Sequence, residues 1–88
     1  MRINKDSFIF IRQEKPTAYH IYRRDIVDEY NNNGVKHSHY SIFTVLKKCR
    51  SLKKAINWGL ENYQGIRYVR GLDGKEIDTY ELKINGLL

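Results

Sequence analysis

The 88-residue chain has one cysteine, one proline, one tryptophan and one methionine. With Cys49 alone an intramolecular disulfide is excluded, a reducing compartment is the simpler expectation, and the thiol reads as a small core hydrophobe. The longest uninterrupted apolar run, Phe8 to Ile11, is far short of a membrane span, and the polar stretch Met1 to Asp6 does not read as a secretory signal. A cytoplasmic protein is expected. The sequence also lacks a phosphate-binding glycine loop, a nucleophile elbow and a Cys-x-x-Cys pair, which argues against an enzyme and against a bound cofactor.

A further lack is local. Between Tyr30 and Leu60 there is no acidic residue, while Lys36, Lys47, Lys48, Arg50, Lys53 and Lys54 all fall there. The flanking segments nearly cancel, with six basic and five acidic residues before this stretch and four basic and five acidic after it. The formal net charge of +6 therefore has one address along the chain.

What is present suits a single domain spanning residues 1–88, since 41% hydrophobic residues can bury a modest core without metal or disulfides. No internal repeat or linker divides it. The excess of Ile, Lys, Asn and Tyr fits an A+T-rich genome, as in many low-GC bacteria and their phages.

Phe8-Ile9-Phe10-Ile11 is a β-branched and aromatic run, and the turn residues Glu14 to Thr17 separate it from Ala18 to Arg24, where Tyr19, Ile21 and Arg23 alternate with His20, Tyr22 and Arg24. This predicts a hairpin. Asp25 to Asn33 stays open between a helical turn capped by Asp25 and a continuing strand. Ser38 to Lys48 reads as a third strand, and Ser51 as the N-cap of a helix whose apolar arc is Leu52, Ala55, Ile56, Gly59, Leu60 and Tyr63, ending at Gln64-Gly65. Ile66 to Arg70 and Lys75 to Ile84 then read as two strands joined at Asp73-Gly74. The expected fold class is α+β, a small antiparallel sheet with one main helix on one face, in the order β-β-β-α-β-β.

A competing pattern exists. Ile42, Val45, Leu46, Cys49, Leu52, Ile56 and Leu60 also recur at helical spacing, which permits a helix-turn-helix with Asp25 to Tyr30 as the first helix and Tyr40 onward as the recognition helix. The β-branched cluster Ile42 to Val45 favours the strand.

The leading candidate site is Lys47, Lys48, Arg50, Ser51, Lys53 and Lys54, with Trp58 one helical turn beyond Lys54. Cations in the first turn of a helix oppose its dipole, so an anion bound there would relieve a cost to folding. Arg23, Arg24, Lys36 and Tyr40 are secondary candidates. His37, His39 and His20 point only weakly to a metal, because a structural site needs four ligands in recognisable pairs, and no metal is expected. Glu81-Leu82-Lys83, with Asp73 and Asp78, resembles in miniature the acid-x-lysine element of metal-dependent nucleases.

In outline, Phe8 to Tyr63 resembles the three-stranded sheet and helix of plant AP2 domains and of integrase arm-binding domains. That resemblance implies a sequence-specific DNA-binding regulator. The charge pattern by itself implies a non-enzymatic protein that binds DNA, RNA or a nucleoprotein complex. Small size and composition also suit a phage or mobile-element inhibitor of a host defence nuclease, similar to anti-CRISPR proteins, whose basic patch would meet an acidic protein surface or a guide-RNA backbone.

Overall fold

The computed structural model describes residues 2–86. Three long strands lead the chain: β1 (Arg2–Lys15), β2 (Ala18–Tyr30) and β3 (Lys36–Cys49) form an antiparallel meander. Helix α1 (Leu52–Asn62) follows, then β4 (Tyr68–Arg70), β5 (Glu76–Asp78) and α2 (Thr79–Ile84). The strands make one five-stranded sheet in the order β3-β2-β1-β4-β5.

The expected order β-β-β-α-β-β is matched in part, because a second helix, α2, follows β5, and four differences from the sequence expectation stand out. First, the sheet is mixed. After β3 the chain crosses through α1 and returns beside β1, so β4 pairs parallel to β1 at Ile11↔Val69 and Arg12↔Arg70. Strand direction is decided by that crossover and leaves no trace in local composition.

Second, Asp25 to Tyr30 is strand. It continues β2 in register with Ser7 to Arg2 on one side and Ile42 to Lys36 on the other. With Ile42 to Lys48 also in β3, the helix-turn-helix alternative is set aside. Pairing with β2 along its length holds β3 extended and overrides the helical spacing of Ile42, Val45, Leu46 and Cys49.

Third, Lys75 to Ile84 is not one strand. β5 ends at Asp78, whose Oδ1 accepts from the Glu81 N–H at 2.9 Å and caps α2. Asp at the N-cap with Glu three residues on is a helix-start signal, and it prevails over the β-propensity of Ile77, Thr79 and Tyr80. Fourth, the preceding strand is confined to Tyr68–Arg70, although Arg67 N–H donates to Ile9 carbonyl at 2.8 Å and extends the contact by one residue.

The turns follow their chemistry. Asn31 Oδ1 accepts from the N–H groups of Asn33 and Val35, and Gly34 supplies the positive φ of +78° that closes the β2–β3 connection. At the β4–β5 turn, Asp73 Oδ1 accepts from Lys75 N–H and Gly74 adopts φ +81°.

Both helices cover the same face. Ile9, Ile11, Ile21, Val69, Ala55, Ile56, Ile66 and Leu82 form the buried cluster, with Leu46, Cys49, Leu52, Trp58 and Tyr63 packed around it. Alternation along the strands places Ile9 and Ile11 toward α1 and sends Phe8, Phe10 and Arg12 to the other side. In the predicted apolar arc of α1, Ala55, Ile56 and Gly59 are buried, while Leu60 departs from it at 43% exposed. The helix stops at Asn62, and Tyr63 N–H donates to Gly59 carbonyl. No helix among the described residues is long and apolar enough to cross a membrane.

Candidate functional site

β3 ends at Cys49, the chain bends at Arg50, and Ser51 caps α1 by accepting from Lys54 N–H at 3.2 Å. This short connection folds the end of a basic strand against the start of a basic helix. Between them lies an open groove of about 420 Å³ lined by Lys47, Lys48, Cys49, Arg50, Lys54, Asn57, Trp58 and Glu61. Five of the seven leading candidates thus line one concave surface. Ser51 is engaged as the cap, and Lys53 lies outside the groove lining.

The electrostatics of the groove differ from the rest of the sheet. Elsewhere carboxylates meet nearby bases: Glu14 with Arg12 at 2.6 Å, Asp25 with Arg23 at 3.3 Å, Asp28 with Lys36 at 3.5 Å and Glu76 with Arg70 at 2.7 Å. Among the described residues, none of Lys47, Lys48, Arg50, Lys53 or Lys54 has a carboxylate within ion-pair distance. Glu61 is the one acid in the groove lining. The positive field is therefore largely uncompensated at short range.

Trp58 is half-buried, 5.9 Å from the ring of Tyr63 and packed at the edge of the core, and it also lines the groove. It is thus both a core contact and an available aromatic wall.

The secondary candidates do not converge on the groove. Arg23 faces the helix side and pairs with the buried Asp25. Lys36 pairs with Asp28, and the Tyr40 hydroxyl donates to Glu29 Oε1 at 2.8 Å, an acceptor that raises the phenol pKa. Arg24 lies on the uncovered face. His37 pairs with Glu29 and His39 with Asp28, and among the described residues no group of three His, Cys, Asp or Glu side chains could hold a metal ion. Glu81 and Lys83 sit on α2, where Leu82 between them enters the core and Asp78 serves as the cap, so the acid-x-lysine element does not form on a sheet.

The uncovered face carries a constellation absent from the sequence reading. Register aligns its side chains in rows across the strands. In one row Phe8, Arg24 and Phe43 are direct partners, and Arg24 lies 5.9 Å from the Phe8 ring centroid and 5.4 Å from that of Phe43. Arg67 adds a second cation 4.8 Å from Phe8. In the next row Tyr68 stacks on Phe10 at 4.8 Å and Phe10 on Tyr22 at 5.3 Å, with interplanar angles of 21° and 14°. A third row runs Arg70, Arg12, His20, Lys48 by register. Lys48 belongs to both this row and the groove.

A small polar network pins these rows. Arg12 Nε donates to Glu14 Oε1 at 2.6 Å, Arg12 also donates to the Tyr22 hydroxyl, and that hydroxyl donates to the same carboxylate at 2.7 Å. The bonds from Arg12 and then Tyr22 hold Glu14 below the usual carboxylate range, while burial first and Glu14 second push the Tyr22 phenol up. The single signal available in the sequence was the alternation of His20, Tyr22 and Arg24 on one strand face.

No protein-family model, curated protein or solved structure matches this chain.

Proposed function

We propose that the chain is a non-enzymatic binding domain that acts on nucleic acid, free or within a nucleoprotein complex, through the groove between β3 and α1. The observation that carries this reading is the convergence of Lys47, Lys48, Arg50 and Lys54 with Trp58 on one groove, with no ion-pair partner for these cations among the described residues. Phosphates exchange condensed counterions for such side chains, a contact that is strong at low salt and tolerant of sequence. An aromatic wall beside the cations offers a surface for a base or sugar.

The test is a binding titration of labelled DNA and RNA across salt concentration, comparing the wild type with a variant in which Lys47, Lys48, Arg50 and Lys54 are glutamine. The expected result is a steep salt dependence that loses roughly 0.7–0.9 of logarithmic slope for each phosphate contact removed. Equal affinity and slope in the two proteins would overturn the reading.

A second reading has its own support. Among the described residues β3 pairs on one side only, and β1 from Arg2 to Phe8 has no strand on its β4 side, so both edges could add a strand from another protein. That suits a small phage-borne inhibitor of a nucleic-acid-handling enzyme, including a defence nuclease. Capture from host lysate after nuclease digestion separates the two: a partner retained after digestion favours the inhibitor.

A further inference from the structure

We propose that the uncovered sheet face is a stacking platform for single-stranded nucleic acid, with bases on the Phe8–Phe43 row and the phosphate chain led along Lys48 into the groove. This rests on the reading of the groove as a phosphate site and specifies the form of nucleic acid it takes.

Three observations converge. The first is chemical composition. A sheet surface without helices over it normally alternates into polar side chains, yet here the outward positions of β1 include Phe8 and Phe10, with Arg24 and Tyr22 as their β2 partners. Phe10 at 3% and Tyr22 at 9% exposed are packed among their neighbours and form the floor on which the Phe8–Arg24–Phe43 row stands. Phe43 at the end of the first row is 54% exposed, and Val45 beside it is 46% exposed. Arg24 lies over the rings of Phe43 and Phe8 and its Nε donates to Ser41 Oγ at 3.2 Å, which holds the guanidinium in the row between them.

The second is charge. The acids around the rows are already bonded within the molecule, Glu14 to Arg12 and Tyr22 and Glu76 to Arg70. Arg24 and Arg67 have no carboxylate partner among the described residues. A protein surface rich in aliphatic groups would satisfy Phe43 and Val45 but leave both guanidinium groups unmatched. Bases with phosphates satisfy rings and guanidinium groups together, because guanidinium planes stack on bases as they do on phenyl rings.

The third is geometry. The row places the Phe8 ring on β1, the Arg24 guanidinium on β2 and the Phe43 ring on β3, so with neighbouring strands about 4.8 Å apart ring, guanidinium and ring succeed one another at a spacing that splayed bases can follow. A duplex, whose bases are stacked on each other, offers no base faces to such a platform.

The experiment uses fluorescein-labelled 12-nucleotide oligo-dT and oligo-U, and a duplex of equal length, with anisotropy as one readout. The emission of Trp58, the single tryptophan, reports separately on the groove. The expected result is tighter binding of the single strands than of the duplex, with Phe43→Ala weakening the single strands about 5- to 100-fold and leaving the duplex and the salt slope unchanged. Phe43→Tyr should restore most of the affinity. Circular dichroism establishes that both variants fold, which the exposure of Phe43 favours.

Failure is separable. Equal binding of single strand and duplex, or an unaffected Phe43→Ala protein, overturns the platform while the groove reading stands on the charge variant. Absence of all binding at low salt overturns both. Retention of a protein partner after nuclease digestion, lost with Phe43→Ala, overturns the platform by assigning the face to a protein interface.

Discussion

The Ser51 hydroxyl and the Lys54 backbone N–H close the first turn of α1 with a 3.2 Å hydrogen bond. Lys54 therefore stands three residues after the cap, where a Glu would complete a capping box and suit the helix dipole. No acidic residue occupies this first turn. Lys54→Glu is expected to raise stability by about 0.5–1 kcal/mol by denaturant melt while weakening nucleic-acid binding. Opposite signs in the two measurements would mean that the lysine is kept for binding. Ser51→Ala provides the control, since it should cost about 1 kcal/mol of stability through the lost cap with little direct effect on the groove cations.

Asp25 gives a pH prediction. Its side chain is 4% exposed, accepts from the Ser7 hydroxyl at 2.5 Å, and has Arg23 at 3.3 Å and Lys5 at 3.9 Å. The Ser7 bond first, and then the charges of Lys5 and Arg23, hold its pKa below the ordinary aspartate value, against the opposing effect of desolvation. A depressed folded-state pKa contributes stability that is complete above the unfolded value of about 3.9 and is lost as pH falls through the folded value. Asp25→Asn should therefore melt below the wild type at neutral pH, and the difference should shrink toward pH 3. A constant difference across pH 3 to 7 would show that the charge of Asp25 contributes nothing.

The C-terminal helix depends on one side chain. Asp78 caps α2, and Leu82, fully buried in the core, is held in place by that helix. Asp78→Ala removes the cap, with an expected cost of about 1 kcal/mol and increased hydrogen exchange confined first to α2. Uniform exchange across β1 and α2 would show that α2 opens only with the whole fold.

How far the sequence could be read follows from the range of each signal. Ser51 ahead of Leu52, Ala55 and Ile56 is local, and α1 begins where that pattern says. The charge of Lys47 to Lys54 is local too, and the groove gathers most of it. Phe8, Arg24 and Phe43 become a row only through two registers, and register is decided by turns and bulges between distant segments. The bulge between Ile21 and Tyr22 shifts the pairing from Lys47 to Val45, which places Phe43 opposite Arg24. No reading of each segment alone would align those three side chains. Asp78 is a different case: its capping signal was present in Asp78-Thr79-Tyr80-Glu81 but competes there with residues of high strand propensity.

Gly59 tests how tightly α1 lies on the sheet. It is buried on the inner side of the helix, and a Cβ there would stand 2.9 Å from both Cγ1 and Cδ1 of Ile66 and 3.4 Å from Ile9 Cδ1. Alanine gains about 1 kcal/mol over glycine in a helix interior, whereas forcing a methyl into a filled core costs about 1–3 kcal/mol. Ile66 is itself 2% exposed and has little room to yield. The clash should prevail, so Gly59→Ala is expected to lose about 1 kcal/mol, a fall in Tm of roughly 4–8 °C for a domain of this size. Ile66→Val removes Cδ1, one of the two atoms in conflict. The cost of Gly59→Ala should therefore be smaller in the Ile66→Val background, and equal costs in both backgrounds would refute the close approach of helix and core at this point.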